Sequence, residues 1–390
     1  MTGTEVRGTC PVCGGSLTEL FLLREGVPVH QNLVVRDMAV AKDSQRGSLA
    51  MYFCGACGFV FNGSYEGSRM RYGETYDNRQ SCSACFAGYV DDLARYLVNE
   101  KGVRNKRIVE VGCGKGDFLK RLIALDAGNT GYGFDPSYEG EEVLCDGRLQ
   151  FRRCFYGPDE GEIGADVVIC RHVIEHVPEP MTLLGAIRAA IGAAEHPLIV
   201  FETPCVEWIL HNRVIWDFFY EHCSLFTAGS LGFALRRAGF EVKELRHTFN
   251  GQYLWAEATD GSVGADVPCD PGAVPDLAGK FRKAEQGVIE SWRNKIEELV
   301  GKGRVALWGA GAKGVTLANL VDPDVTLIDC VVDINPGKQG GYVPGTGHPI
   351  VDWRDLPERN VRSAILMNPN YHDEIRAMLL ENHINIHLIC

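Results

Sequence analysis

One local unit constrains this chain more than any other, and it occurs twice. Residues 106–123, KRIVEVGCGKGDFLKRLI, read as an apolar strand, a glycine-rich turn and an amphipathic helix. Residues 304–321, RVALWGAGAKGVTLANLV, repeat that order. A strand that enters a helix through a tight glycine turn begins a βα unit, and such units build sheets with helices on both faces. Two widely separated copies predict two α/β units, which suits 390 residues at roughly 100–200 per domain.

The two turns carry different surroundings. In the first, Gly112, Gly114 and Gly116 let the backbone approach a ligand closely. Glu110 ends the strand before them, and the next strand, within GNTGYGFDPSYEG, ends in Asp135-Pro136. An acid about 20 residues beyond the glycines lies where a ribose diol is held. In the second, Gly309-x-Gly311-x-x-Gly314 followed by Asp333 is a dinucleotide-type fingerprint, so an NAD-dependent oxidoreductase is a rival reading. The second unit, at about 90 residues, is short of strands for a complete NAD-binding domain. Its turn serves packing or receives an anionic group at the helix N-terminus. The long loop NPGKQGGYVPGTGHPI (335–350), with Lys338, Gln339, Tyr342 and His348, is of a length usually functional or mobile.

Between the turns, residues 164–187 give a third strand running into RHVIEHVPEP, and HPLIVFETP gives a further strand. His172 and His176 with Glu175 imitate a reversed zincin pattern, but their place after a strand beside a glycine loop argues for a cofactor wall instead of a metal. Residues 273–300 read as a long amphipathic connecting helix, with Phe281, Val288, Ile289, Trp292, Ile296 and Leu299 at helical spacing. Upstream, Tyr72 and Tyr76 lie in a polar stretch that either covers a ligand or simply leads into a helix.

The N-terminal segment holds Cys10-Pro-Val-Cys13-Gly and Cys54-Gly-Ala-Cys57-Gly. Two such turns supply four thiolates to one tetrahedral site, the closed structural geometry that favours Zn²⁺. Cys82-Ser-Ala-Cys85 lacks the following glycine and reads as helix packing. Fifteen cysteines, an odd number scattered along the chain, do not form a disulfide framework. A net charge of −12 argues against a nucleic-acid partner. No apolar run approaches the ~20 residues a bilayer demands, and MTGTEVRGTC has no apolar signal core, so a cytoplasmic protein without membrane contact is expected.

The stretch YEHCSLF places Tyr220, Glu221 and His222 together just before FTAGSLGFALRRAGF, a helix that Thr227 suits as N-cap. From the residues alone this is either a catalytic cluster or a polar corner at a helix start.

The strand order with EVGCGKGDF, Asp135 and HVIEHV resembles class I S-adenosylmethionine-dependent methyltransferases. The succession of CxxCG twice, EVGCGKGDF, YEHCSLFTAGSLGFALRRAGFEV, GAGAKG and VVDINPGKQGGYVPGTGHPI resembles the sugar C-methyltransferase family over nearly the whole chain. That resemblance implies an α/β protein with a Rossmann-like class I core. It sets a four-cysteine zinc segment at 1–66, the core at 67–265, and a connector with a smaller Rossmann-like substrate unit at 266–390. It further implies S-adenosylmethionine held by Tyr76, Glu110, Gly112, Gly114, Gly116, Asp135, Pro136, His172 and His176, with structural Zn²⁺ on Cys10, Cys13, Cys54 and Cys57. The substrate it implies is a nucleotide-linked keto sugar, bound between core and C-terminal unit. The family's base is the histidine of a Y-x-E-H motif, here His222, with Glu221 and Tyr220 beside it. This chain has Phe219 where the family has that tyrosine, and reads PGTGHPI in place of PGTHIPI. O- or N-methylation of another small acceptor remains open, since the same base serves it.

Overall fold

The computed structural model describes residues 8–70, 82–191, 196–261 and 268–390. Tyr72, Tyr76 and the 265/266 boundary lie outside them.

In the N-terminal segment, β1 (Thr18–Pro28) pairs antiparallel with β2 (Arg46–Cys54), and β2 pairs with β3 (Val60–Asn62); helix α1 (Met38–Lys42) sits in the β1–β2 connection. The register sets Thr18 opposite Cys54, which carries both cysteine turns to one end of the hairpin. The sheet is completed from outside the segment. Its fourth strand is a two-residue piece of the core that immediately follows the YEHC stretch.

The core contains α2 (Ala84–Asn99), β4 (Arg107–Val111), α3 (Asp117–Leu125), β5 (Thr130–Phe134), β6 (Val143–Leu144), β7 (Leu149–Arg152), β8 (Val167–Arg171), α4 (Pro180–Ile191), β9 (Leu198–Pro204), α5 (Val206–His211), β10 (Ser224–Leu225), α6 (Ala228–Arg237), β11 (Phe240–Thr248) and β12 (Tyr253–Asp260). Eight strands form one sheet in the order β11-β12-β9-β8-β4-β5-β7-β6, while β10 leaves to pair with β3. The inner strands β7, β5, β4, β8 and β9 are parallel and buried on both faces. Ile108 packs with Leu93, Leu97, Leu119 and Leu122 from α2 and α3, while Val109 and Val111 pack with Leu184 and Ile187 from α4. Thr227 caps α6 in a reciprocal capping box with Ser230.

Helix α7 (Val274–Val300) connects to the third sheet. Phe281, Ile296 and Leu299 are buried, and Val288, Ile289 and Trp292 pack against the same cluster. The C-terminal unit comprises β13 (Arg304–Trp308), α8 (Ala312–Val321), β14 (Ile328–Val332), β15 (Ile350–Val351), β16 (Val361–Leu366), α9 (His372–Glu381) and β17 (His387–Ile389). Its five strands are all parallel, in the order β15-β14-β13-β16-β17. The chain reverses direction across the sheet at β13, so the glycine turn after β13 lies at the topological switch point.

The 335–350 loop is pinned. His348 is fully buried, with Nε2 3.0 Å from Asp322 Oδ2 and Nδ1 2.8 Å from Thr346 Oγ1. Asp322 also accepts the backbone N–H groups of Thr326, Leu327 and Ile328. Burial opposes its charge, but these donors win and hold its pKa at about 2. Tyr342 N donates to Val35 O, and Arg46 donates to Gly345 O, so the loop also binds the N-terminal segment. His348→Ala leaves the Thr346 hydroxyl and one side of Asp322 without partners, and is expected to lower stability by about 1–3 kcal/mol. Urea denaturation followed by tryptophan fluorescence measures it; an unchanged midpoint would show that the loop does not depend on this pair.

Candidate active site

The first glycine turn has the shape of a cradle. Gly112, Gly114 and Gly116 all have left-handed backbone, with φ of 67°, 54° and 76°. A Cβ on Gly112 would come within 2.2 Å of Val173 Cγ2, and one on Gly116 within 2.3 Å of Phe151 Cζ. One on Gly114 meets nothing within 4 Å, so this is the open side of the turn. Asp135 closes the loop: Oδ2 accepts Gly114 N at 2.9 Å, and Oδ1 accepts Ser137 N and Oγ. Glu110 is buried, and its Oε2 accepts Leu119 N. Burial lifts its pKa to about 8 and Arg171 offsets this only in part, so its role here is to hold the helix start.

A cavity of about 440 Å³ has a wall drawn from all three units. The core gives His172, Glu175, His176, Phe219, His222 and Tyr253; the C-terminal unit gives Trp308, Lys313, Asp333, Lys338, Trp353 and Asn368; the N-terminal segment gives Asn32. Residues 112, 114, 116 and 135 do not line it.

An ion network reaches this cavity through His172 and Glu175. Glu202, fully buried at the β9 end, is paired by register with Arg171, whose Nη2 lies 2.6 Å from Oε2. His172 Nε2 is 3.3 Å from the same oxygen, and Nδ1 is 3.4 Å from Glu175 Oε1. Tyr89 donates to Glu202 Oε1. Burial opposes the charge on His172, but Glu202 and Glu175 outweigh it and raise its pKa to about 9. Burial likewise opposes the charge on Glu202, yet Arg171 and His172 bring it to about 2.

His222 has the reverse bias. Its ring stands perpendicular to His176 at 4.8 Å and lies 4.1 Å from the Phe219 ring. Burial, then the positive fields of His176, His172 and Lys313, hold its pKa well below the usual imidazole value. It is therefore a neutral imidazole at working pH, able to accept a proton. Glu175, His176 and His222 bring donor atoms within 4.8 Å of one another.

The neighbours of His222 face elsewhere. Glu221 is fully buried, and its Oε1 accepts Gln31 N at 2.6 Å and Asn32 N at 3.4 Å. The Tyr220 hydroxyl accepts Glu66 N at 2.8 Å, and its ring meets Tyr65. Both side chains anchor the His222 loop to the N-terminal segment, and neither lines the cavity. Gln252 lines the cavity, Arg171 and Glu202 lie behind His172 without lining it, and His211 and Asn212 are exposed at the close of α5.

The second glycine turn repeats the first. Asp333 Oδ2 accepts Ala310 N at 2.8 Å, as Asp135 accepts Gly114 N. A Cβ on Gly314 would sit 1.9 Å from Gly309 O, so only glycine permits this helix–strand contact, whereas Gly311 is open. Lys313 Nζ meets Asp217 at 2.8 Å, and Lys338 Nζ meets Asn32 Oδ1 and Ala310 O at 3.1 Å. Asp217, Lys313, Tyr253 and the two tryptophans escaped sequence reasoning as site residues. Lys313 lay inside the GAGAKG turn and Tyr253 beside Gln252; the tryptophans carried no local signal.

The cysteines gather as their spacing requires. Cys10 Sγ and Cys57 Sγ are 3.7 Å apart, and Cys13 Sγ and Cys54 Sγ 3.5 Å. A tetrahedron with Zn–S of about 2.3 Å has edges of about 3.8 Å, so four thiolates at this separation fit a metal ion. Cys13 N and Gly15 N point at sulfurs. Cys82 is exposed and Cys85 part-buried at the α2 start.

The His172–Glu202 pairing predicts a pH signature. His172's contribution is complete below about pH 6.5 and is lost as pH rises through about 9; Glu202's is complete above about 4.5 and is lost as pH falls through about 2. His172→Gln is therefore expected to lower the melting temperature more at pH 6 than at about pH 10. Equal losses at both would contradict a charged His172.

Comparison with known proteins follows the same division. Residues 82–245 match the family model described as a methyltransferase domain, and residues 276–384 that described as a C-methyltransferase C-terminal domain. No curated protein sequence matches the chain. Among solved structures, the pyocyanin biosynthetic protein PhzM is 17% identical, with 45% of this chain and 55% of that one aligned and a TM-score of 0.36. An N,N-8-amino-8-demethyl-D-riboflavin dimethyltransferase (RosA) from Streptomyces davawensis is 18% identical, over 45% and 54%, with a TM-score of 0.35. Magnesium protoporphyrin IX methyltransferase from Synechocystis PCC 6803, solved with bound SAH, is 19% identical over 45% and 84%, again at 0.35. The chain thus spans about half the length of the first two. No helix among the described residues is long and apolar enough to cross a membrane. The two family matches fall on the two glycine-turn units in the order in which the sheets occur: the eight-stranded core carries the match to a methyltransferase domain, and the five-stranded unit the match to a C-methyltransferase C-terminal domain.

Proposed function

We propose that this enzyme methylates a carbon of a nucleotide-linked keto sugar, with His222 as the base. The observation that carries the reading is a neutral, buried imidazole in a cavity shared between the methyltransferase core and a second nucleotide-type turn. S-adenosylmethionine, when bound, supplies an electrophilic methyl group. Gly112, Gly114 and Gly116 would cradle its methionine part, and Asp135-Pro136 its ribose. Glu110 fixes the helix behind the turn; in this reading His172, His176 and Tyr76 complete the set that would hold the cofactor. Zn²⁺ on Cys10, Cys13, Cys54 and Cys57 is structural, because four thiolates leave no position for a substrate.

On the substrate side, the backbone of the Gly309–Gly314 turn, the α8 N-terminus, Lys313 and Lys338 suit a diphosphate. Trp308, Trp353 and Asp333 suit the attached nucleoside. The sugar then lies towards His222, which removes the proton beside the ketone. Glu221 and Tyr220 act by holding the loop that carries the base. Thiolate ligands and a nucleotide substrate suit the reducing cytoplasm, where we place the enzyme. Removal of a proton from a hydroxyl by the same imidazole would give O-methylation, but the C-methyltransferase C-terminal domain favours carbon.

Two experiments test this. S-adenosylhomocysteine at about 100 times its Kd should stabilise the protein by about 2.7 kcal/mol, and NAD should not; stabilisation by NAD alone would instead indicate an oxidoreductase. The acid limb of kcat/KM should fall below pH 6.5, since His222 stays neutral down to that value. A limb centred at or above pH 6.5 would point to a different base.

A further inference from the structure

Phe219 leaves the proposed reaction with one fewer hydrogen-bond donor than the Y-x-E-H pattern supplies. A proton beside a ketone becomes removable only if the oxygen that gains charge is stabilised. This is more pressing here, because an imidazole held neutral by positive neighbours is a weak base.

Tyr253 is placed to supply that donor. It opens β12 opposite Pro204 of β9, and both residues line the cavity. Its ring stacks on Phe249 at 5.3 Å with 5° between planes, and meets the edge of His172 at 4.7 Å. These contacts fix the ring and leave the residue 9% exposed, while its hydroxyl makes no hydrogen bond with any described residue. Several other donors that line the cavity have protein partners. Ser83 donates to Glu374, and Gln252 and Asn368 exchange a reciprocal amide pair. Burial, together with Tyr371, Glu202, Tyr89 and Asp217, keeps the Tyr253 phenol protonated. Asp217 bonds Lys313 at 2.8 Å, and this ion pair lines the same cavity as Tyr253 and His222.

We propose that the Tyr253 hydroxyl donates a hydrogen bond to the substrate's carbonyl oxygen as that oxygen becomes an enolate, replacing the donor absent at Phe219. The inference rests on the keto-sugar reading above. In the step, a ring nitrogen of His222 takes the α-proton. The C–H electron pair forms the C=C bond, and the carbonyl π pair moves to the oxygen that Tyr253 holds. As that pair returns, the α-carbon bonds the methyl group and the S–CH₃ pair stays on sulfur.

The test compares wild type with Tyr253→Phe, both zinc-loaded, using dTDP-, UDP- and GDP-linked 4-keto-6-deoxy sugars as probes. Exchange of the α-proton in D₂O, kcat and KM for methyl transfer, affinity for S-adenosylhomocysteine and melting temperature are measured. Exchange and kcat should fall about 10²-fold with KM and the two binding and stability controls unchanged. In the Tyr253→Phe background, Phe219→Tyr should restore part of the exchange. Exchange at the wild-type rate in Tyr253→Phe overturns the inference and leaves the keto-sugar reading standing. A loss matched by lower cofactor affinity and melting temperature marks a structural role and also overturns it. If wild type exchanges no probe, the keto-sugar reading falls, and this inference falls with it.

Discussion

Glu202 holds the site together electrostatically. A carboxylate without solvent contact costs several kcal/mol unless its partners are close and well placed. The β8–β9 register provides them: Arg171 is its cross-strand neighbour, and His172, one residue on, turns back with a φ of 54° and donates its backbone N–H to Glu202 O. His172 then carries a charge because two carboxylates face it, and that charge helps keep His222 neutral. The state of the proposed base is therefore set first by burial and then by positive neighbours, among them His172, which the sheet register holds in place. The strained backbone at His172 is consistent with a position over-determined by its surroundings.

The parts legible in the sequence were those encoded by short-range chemistry. The glycine turns declare a strand-to-helix junction, and the acid that closes each one, Asp135 or Asp333, ends the following strand. The cysteine turns were equally plain, because two thiolates per turn can serve one ion. Helix α7 and the cap at Thr227 followed from periodicity and capping chemistry. What the sequence could not resolve was the facing of adjacent residues in YEHC. Tyr220 and Glu221 turn away from the cavity because Glu66 N and Gln31 N receive them, and those amides lie 154 and 190 residues away in the chain. Tyr253 and Asp217 were hidden for the same reason. Each is unremarkable locally and acquires meaning only when β12, the His222 loop and α8 converge.

The loop PGTGHPI belongs to a segment whose length is usually functional or mobile, yet its histidine is structural: His348 is buried against Asp322 and Thr346. The histidine locks the long loop to the end of α8, and Gly345 fits where a Cβ would strike Asn319 and Pro28. The loop is thus a clasp between the C-terminal unit and the N-terminal segment, and its Lys338 reaches the second glycine turn because the clasp holds it there.

The same logic assigns the cysteine segment a purpose beyond its own folding. Four thiolates fix the end of the β1–β2 hairpin; β2 pairs with β3, and β3 pairs with β10, the strand that begins two residues after His222. The other end of the segment presents Gln31 N and Asn32 N to Glu221, and Glu66 N to Tyr220. The loop bearing His222 is therefore held from both sides by a segment that, among the described residues, contributes only Asn32 to the cavity wall. A two-stranded hairpin is marginal by itself in water; this one buries Phe21, Leu22, Leu49, Met51 and Phe53 in the shared core, and a metal ion on the four thiolates would rigidify its end. An ion held there would stabilise the scaffold that carries the His222 loop, while its closed coordination would leave no position for a substrate.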